Sequence, residues 1–481
     1  MQLQSAEHAW GIDSPYHGEL ISYSPIDSAV VGRFGFSVTA ADDAVARARQ
    51  AQQQWDDTPI AQRLQAIMRI QAGLVAHRAE LSTLLTVEIG KPIWEARAEV
   101  DACIQKVDIT AGAGLDLVRA VTIDEQSSYT FRPHGVIAVI GPFNFPLHLV
   151  HGHVIPALLT GNAVVVKPSE LSPAITGLYA SIVRSAGLPP GVFQVVQGDG
   201  AVGQRLAGHR DVDAVLFTGS YAVGRAIAQQ NLNTPGKLVA LEMGGCNPAL
   251  VLADANLEKA AHDVLWGAFV TSGQRCSGTA VCLVDKTVRD SFVALLCAKA
   301  ARLTIGDPRR EDVFMGPLIG REARDRSSMA LQAARASGAK LLWEGRLDGV
   351  SAQGAFLAPT IHDADDCAGN ASYFRDELFA PDLAVQTVSG LDEALALANG
   401  LEYGLSASVF SETAGHFDIS KRRLRYGNIN WNAPTCRASA RLPFGGLRKS
   451  GNHRPAALFS TLYCTYPVSS VNAGPSHQIT C

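Results

Sequence analysis

Nothing in this chain spells C-x-x-C, although it carries nine cysteines. Cys103, Cys246, Cys276, Cys282, Cys297, Cys367, Cys436, Cys464 and Cys481 are an odd number without regular spacing. That scatter argues against a disulfide framework and against a zinc site, so no metal is expected. Positive charge is not in excess either: 41 Lys and Arg face 45 Asp and Glu, a net of −4. The balance removes any electrostatic ground for a nucleic-acid or anionic-membrane partner. No apolar stretch approaches the length that spans a bilayer, and "GVIAVIG" and "NAVVVK" are only strand-length. The first twenty residues lack a basic segment followed by an apolar run. A cytoplasmic protein is therefore the expectation. Fixed-period repeats and low-complexity linkers are also missing.

What is present is material for a large core. Hydrophobic residues make up 47% of 481 and charged residues 18%, which predicts two or three globular domains. Apolar residues at three- and four-residue spacing predict helices through 41–120, with a stop at Gly90 before Lys91-Pro92. From about 129 the rhythm changes. Short apolar strands ("GVIAVIG", "NAVVVKP", "VFQVVQG", "AVLFTG", "KLVALEMGG") alternate with helices near 146, 173–186, 201–208 and 221–231. That alternation predicts a doubly wound α/β domain with a parallel sheet covered on both faces. A second α/β region follows from "NPALVLADA" to about 440, with helices near 256–271 and 288–303.

Two glycine-rich turns compete for a nucleotide. "VVQGDGAVGQ" spells G-x-G-x-x-G at Gly198, Gly200 and Gly203 between a strand and a helix. "AVLFTGSYAVG" places Gly219, Ser220 and Gly224 in the same context. The first lacks an acidic residue at the right distance downstream. Either is also explained as a tight turn that needs glycine for its backbone angles. "VVVKPSEL" delivers Lys167 and Glu170 to a strand's carboxyl end, where such sheets bind ligands. Lys167 can donate to ribose hydroxyls and Glu170 can accept from them, and a carboxylate there disfavours a 2′-phosphate.

The stretches "GPFNFP", "VVVKPSELSP", "FTGSYAVG", "LEMGGCNP", "SGQRCSG", "ELFAP" and "LPFGGLRKSG" occur in one order across about 20–467. In this the chain resembles the aldehyde dehydrogenase superfamily, and "NWNAPT", "PFGG", "SGNHRP", "RPHGV" and "GHVIPALLTGN" bring it nearest the succinylglutamate-semialdehyde dehydrogenases. The resemblance implies NAD as cofactor, bound by Lys167, Glu170, Gly219, Ser220, Gly224, Glu377 and Phe379, and demotes Gly198–Gly203 to a turn near the adenine end. It makes Cys276 the nucleophile, Asn144 an oxyanion donor with the Cys276 N–H, and Glu242 the base that activates water. The carboxyl-terminal side of "ELFAP" departs from the family, which commonly has Gly where Ala380 stands. Phe143 stands where Trp is frequent, a change expected toward the substrate.

Substrate contacts are expected from Phe143, His148, Arg437 and Arg441. An arginine there can clamp a carboxylate bidentately; each is equally explained as a solvated loop residue. His148, His151 and His153 lack the spacing of a same-face metal pair and are read as pocket lining or core imidazoles. The expected domains are 1–120 with 135–244 for NAD binding and 245–445 for catalysis. Small β segments at 121–134 and 455–475 are expected to assemble a homodimer or homotetramer. The implied reaction oxidises a carboxylate-bearing semialdehyde, such as N-succinylglutamate 5-semialdehyde, to its acid. Oxidation of a longer aliphatic aldehyde and non-redox acyl transfer or hydrolysis by the thiol remain alternatives.

Overall fold

The computed structural model describes residues 18–367, 373 and 376–472. Its first sheet has five parallel strands in the order Phe193–Val195, Ala163–Lys167, Val136–Ile140, Ala214–Thr218, Leu238–Glu242. Val136–Ile140, Ala163–Lys167 and Ala214–Thr218 are buried at every position, as strands covered on both faces must be. One cover is the packed layer of helices Ile60–Ala76, Arg78–Ile89, Ile93–Ile109, His148–Leu159 and Pro173–Ser185. The other is Ala40–Asp57, Gly200–Gly208 and Tyr221–Gln230. This is the doubly wound arrangement. Strand order reverses between Val136–Ile140 and Ala214–Thr218, which opens a crevice at their carboxyl ends.

The apolar run from 61 to 90 reads as one helix but is two. His77 leaves the helical region (φ −99°, ψ 14°) and the chain turns between them. The second ends as expected on Gly90, left-handed at φ 84°.

A second sheet has seven strands in the order Lys340–Glu344, Thr360–Asp363, Asp382–Val388, Thr279–Asp285, Asn247–Val251, Ser406–Phe410, Asn428–Trp431. All neighbours run parallel except the edge pair Lys340–Glu344 with Thr360–Asp363. Helices Leu257–Phe269 and Arg289–Ala300 pack on it.

A third, antiparallel sheet joins Thr465–Val471, Ser127–Pro133 and Val121–Thr122. The two strands expected to assemble subunits pair with each other, from Thr465↔Pro133 to Val471↔Ser127. The tail reads as strand from 460, yet Ser460–Tyr463 is a helical turn and Ala456–Ala457 pairs with Pro443–Phe444 instead. Residues 1–17 and 473–475 of the expected segments lie outside the described residues. Among those described, no helix is long and apolar enough to cross a membrane.

Candidate active site

Cys276 lies in the loop between Leu257–Phe269 and Thr279–Asp285, and that loop is held in a costly shape. Thr271 and Ser272 are left-handed at φ 56° and 54°, followed by Gly273 at 71°. A β-branched residue in that region persists only where its surroundings over-determine it. Here Glu95 accepts from the Thr271 N–H at 3.1 Å and from its hydroxyl, and the Ser272 hydroxyl donates to the Gly316 carbonyl at 2.8 Å. The side-chain amide of buried Asn247 donates at 2.8 Å to the carbonyls of both Cys276 and Gly278. The thiol is thus fixed from both ends of its loop.

Two cavities meet at Cys276. One, of about 780 Å³, runs along the carboxyl ends of the first sheet and is lined by Lys167, Glu170, Gly219, Ser220, Glu377 and Phe379. The other, of about 570 Å³, lies on the opposite side and is lined by Glu242, His148, Phe145, Trp266 and Arg441 among others. Of the nine cysteines, Cys276 alone among those described lines both, while Cys103, Cys282 and Cys464 are fully buried in the core.

Asn144 is buried and donates one amide hydrogen to the Gln274 carbonyl at 2.9 Å. Its second amide hydrogen and the Cys276 N–H meet no acceptor among the described residues. Glu242 ends the last strand of the first sheet. It is fully buried, and neither carboxylate oxygen has a hydrogen-bond partner. Burial alone raises its pKa to about 7. The Cys276 thiol is pushed well above its ordinary value, first by desolvation and then by the Glu242 and Glu377 carboxylates; Arg275 and the Ser277 N–H oppose this.

On the larger cavity, Lys167 is buried and its ammonium meets half-exposed Glu170 at 3.2 Å. Burial lowers the Lys167 pKa and the Glu170 carboxylate counters it. The Ser220 hydroxyl caps helix Tyr221–Gln230 by accepting from Val223 N–H. Glu377 accepts from the Gly245 N–H at 2.8 Å, and burial, opposed by that hydrogen bond, raises its pKa to about 8. Phe379 has φ 54° and packs edge-on against Phe143, with ring centroids 5.9 Å apart.

Three placements, those of Phe143, Gly224 and Arg437, differ from the expectations. Phe143, expected toward the substrate, lines the larger cavity beside Phe379; Phe145, on the other side of Asn144, lines the smaller one. Gly224 lies under its helix against Met243 and Phe217 and lines neither cavity, so its missing side chain serves helix packing. As the resemblance implies for a turn near the adenine end, Gly200 and Gly203 line the larger cavity, Gly203 close to Lys167, while φ of 151° at Gly198 makes the turn. Arg437 is exposed and lines neither cavity, whereas Arg441 does line the smaller one. His148 lines that cavity too, and burial depresses its pKa to about 4, keeping the imidazole neutral.

A buried ionic scaffold was not foreseen. Arg275 reaches Glu95 at 2.7 Å and the Thr271 hydroxyl at 2.7 Å. Lys91 pairs with Glu99, whose other oxygen accepts the N–H groups of Leu147 (3.1 Å) and His148 (3.0 Å). Helix Ile93–Ile109 thereby ties the cysteine loop to the start of the helix that follows Asn144. Glu95 and Glu99 are four apart in "WEARAEVD", a spacing that puts them on one helix face, but nothing local says that face is inward.

The pattern of the aldehyde dehydrogenase family matches residues 14–466. An N-succinylglutamate 5-semialdehyde dehydrogenase of Novosphingobium aromaticivorans is 38% identical over 457 residues, covering 94% of this chain and 96% of that protein. N-succinylglutamate 5-semialdehyde dehydrogenase 2 of Caulobacter vibrioides is 42% identical over 448 residues, covering 91% and 90%. Among solved structures, aldehyde dehydrogenase C of Pseudomonas syringae, complexed with NAD+ and octanal, superposes with a TM-score of 0.90 at 32% identity, covering 96% and 95%.

Proposed function

Because this chain belongs to the aldehyde dehydrogenase family, we propose that it oxidises a semialdehyde bearing carboxylates to the acid with NAD, N-succinylglutamate 5-semialdehyde being the best candidate. One observation carries the reading: Cys276 stands where two separate cavities meet, so a cofactor and a substrate can approach it from opposite sides. The larger cavity fits a dinucleotide. It lies at the strand-order reversal, begins a helix with the Gly219-Ser220 turn, and presents a buried Lys167 beside a carboxylate.

In this reading Cys276 Sγ bonds to the carbonyl carbon as the thiol proton passes to the Glu242 carboxylate on the same cavity, which returns it to solvent before the hydrolysis step. The oxygen that gains charge takes the spare hydrogen of Asn144 and the Cys276 N–H. Lys167, Glu170, Ser220, Glu377 and Phe379 would hold NAD in the larger cavity, where it would supply the acceptor for the hydride that leaves the Cys276 thiohemiacetal as it becomes a thioester. Glu242 then takes a proton from water, hydroxide adds to the thioester carbon, and the carboxylic acid leaves as the Cys276 sulfur is restored. A carboxylate of pKa about 7 serves both as acceptor and, once protonated, as donor near neutral pH.

Arg441 supports a charged substrate, and the rings of Phe145, Trp266 and Trp94 on the same cavity support an aliphatic chain. Initial rates with N-succinylglutamate semialdehyde and with octanal, followed by formation of reduced NAD, separate the two readings. Preference for the dicarboxylate is expected. Arg441→Ala should raise its KM by about 10-fold and leave octanal unchanged, while Arg437→Ala should alter neither. Higher kcat/KM for octanal in the unmodified enzyme would overturn the carboxylate reading.

Glu170 gives the cofactor test. A carboxylate on the Lys167 ammonium repels a 2′-phosphate, a repulsion that solvent screens in part because Glu170 is half exposed. Glu170→Gln is expected to raise kcat/KM with NADP by about 10-fold, and an unchanged NAD to NADP ratio would contradict this.

The free thiols, Cys276 above all, need a reducing compartment, which supports a cytoplasmic setting. Tyr466, Val468 and Val471 stand exposed on the edge strand Thr465–Val471. An edge of this kind invites pairing with a second copy, which supports a homo-oligomer.

A further inference from the structure

The smaller cavity has a second charged region that the reaction above leaves unused. Helix Ile93–Ile109 runs along it, presenting Glu95, Glu99, Ala102 and Lys106 at successive turns. Glu95 holds Arg275 next to the nucleophile, and Lys106 lies further along the same helix, on the same cavity.

Lys106 is buried, 2% exposed, yet has no carboxylate partner among the described residues. Its ammonium donates to the Ala457 carbonyl at 2.6 Å and the Ser460 hydroxyl at 2.8 Å, both neutral acceptors. An ammonium has three hydrogens, so one is left over. Nearby Glu99 does not answer it, since that carboxylate is taken by Lys91 and two backbone N–H groups. Two buried imidazoles line the same wall, His148 and His153, and the Nδ1 atom of each lacks a partner. A buried cation that faces a cavity without a counter-ion is costly, and a cost of this kind is offset when an anion arrives.

We propose that Lys106, with His148 and His153 beside it, is the seat of a second substrate carboxylate, the one furthest from the aldehyde. The inference rests on the semialdehyde reading above and deepens it: the substrate is a dianion, held by Arg441 at the exposed side of the cavity and by Lys106 at the buried one. The pKa of Lys106, lowered to about 8 by burial, still leaves it cationic at neutral pH. Lys106 is thus a specificity-determining residue that takes no part in the chemistry at sulfur.

Lys106→Gln removes the charge and keeps donors for Ala457 and Ser460. With N-succinylglutamate semialdehyde the variant should lose about 10- to 100-fold in kcat/KM, mostly through KM, while octanal changes by less than about 3-fold. Lys106→Arg, which restores the charge, should recover part of the loss. Equal loss on both substrates would mean that Lys106 only holds the Ala457–Ser460 segment, and the inference falls. An unchanged KM for the dicarboxylate also overturns it while the semialdehyde reading stands. A native enzyme that prefers octanal overturns both. Should neither variant fold, protection of native Cys276 from iodoacetamide by N-succinylglutamate decides: protection equal to that given by glutamate alone would count against a second carboxylate seat.

Discussion

Cys276→Ala is expected to abolish aldehyde oxidation, lowering turnover on the order of 10⁶-fold, the scale on which an enzyme loses its nucleophile. Eight of the nine cysteines fall among the described residues with free thiols, so a substitute nucleophile is available in principle. Position rules it out. Cys436 also lines the smaller cavity but not the larger one, and burial raises its pKa. Binding should survive the change, because the residues lining the larger cavity keep their contacts. NAD affinity of Cys276→Ala, read by quenching of protein fluorescence, should stay within about 3-fold of native, while product formation disappears. Residual turnover above about 1% of native would show that the thiol is not the reacting group.

Glu242→Gln should lower steady-state turnover by about 10²- to 10⁴-fold without preventing the first hydride transfer. The expected record is a burst of reduced NAD, close to one equivalent per active subunit, followed by an arrested steady state. The physical ground is that Glu242 has no partner for either oxygen. Its charge is left unsatisfied in the resting structure, as suits a group that must accept a proton from water. The acid and base forms change places near pH 7. The base form fills as pH rises through that value, so native kcat should increase across it and level off above. Glu242→Gln should lose that limb. A variant that retains native turnover with the limb intact would transfer the role elsewhere, Glu377 at about 8 being the next candidate.

The fold was legible because its signals are local. Short β-branched runs alternating with amphipathic helices state a parallel sheet, and Gly90 states a helix stop. The boundary at His77 was not legible, since its neighbours continue the helical spacing and only the backbone turn separates the pair. The pairing of Ser127–Pro133 with Thr465–Val471 joins segments more than 300 residues apart, and no local pattern encodes a contact of that separation.

In the site, residues singled out by identity and place in the chain do reach the cavities: Cys276 lines both, Glu242 the smaller, and Asn144, Lys167 and Glu377 the larger. Residues whose role depends on which way a loop faces were not. Phe143 and Phe145 flank one asparagine and line different cavities; Arg437 and Arg441 share one loop, and only the second reaches the site. The Glu95–Arg275 and Lys91–Glu99 pairs were hidden for a further reason. Charged residues are normally solvated, and these four are explained only by the strained loop and helix start they hold.

The most direct test stops Glu242→Gln with acid after the burst and maps the trapped acyl group by peptide mass spectrometry. The acyl mass on the peptide bearing Cys276, at that residue alone, is the predicted result. An acyl group on Cys436 or any other side chain, or a burst that leaves none bound, would contradict the account.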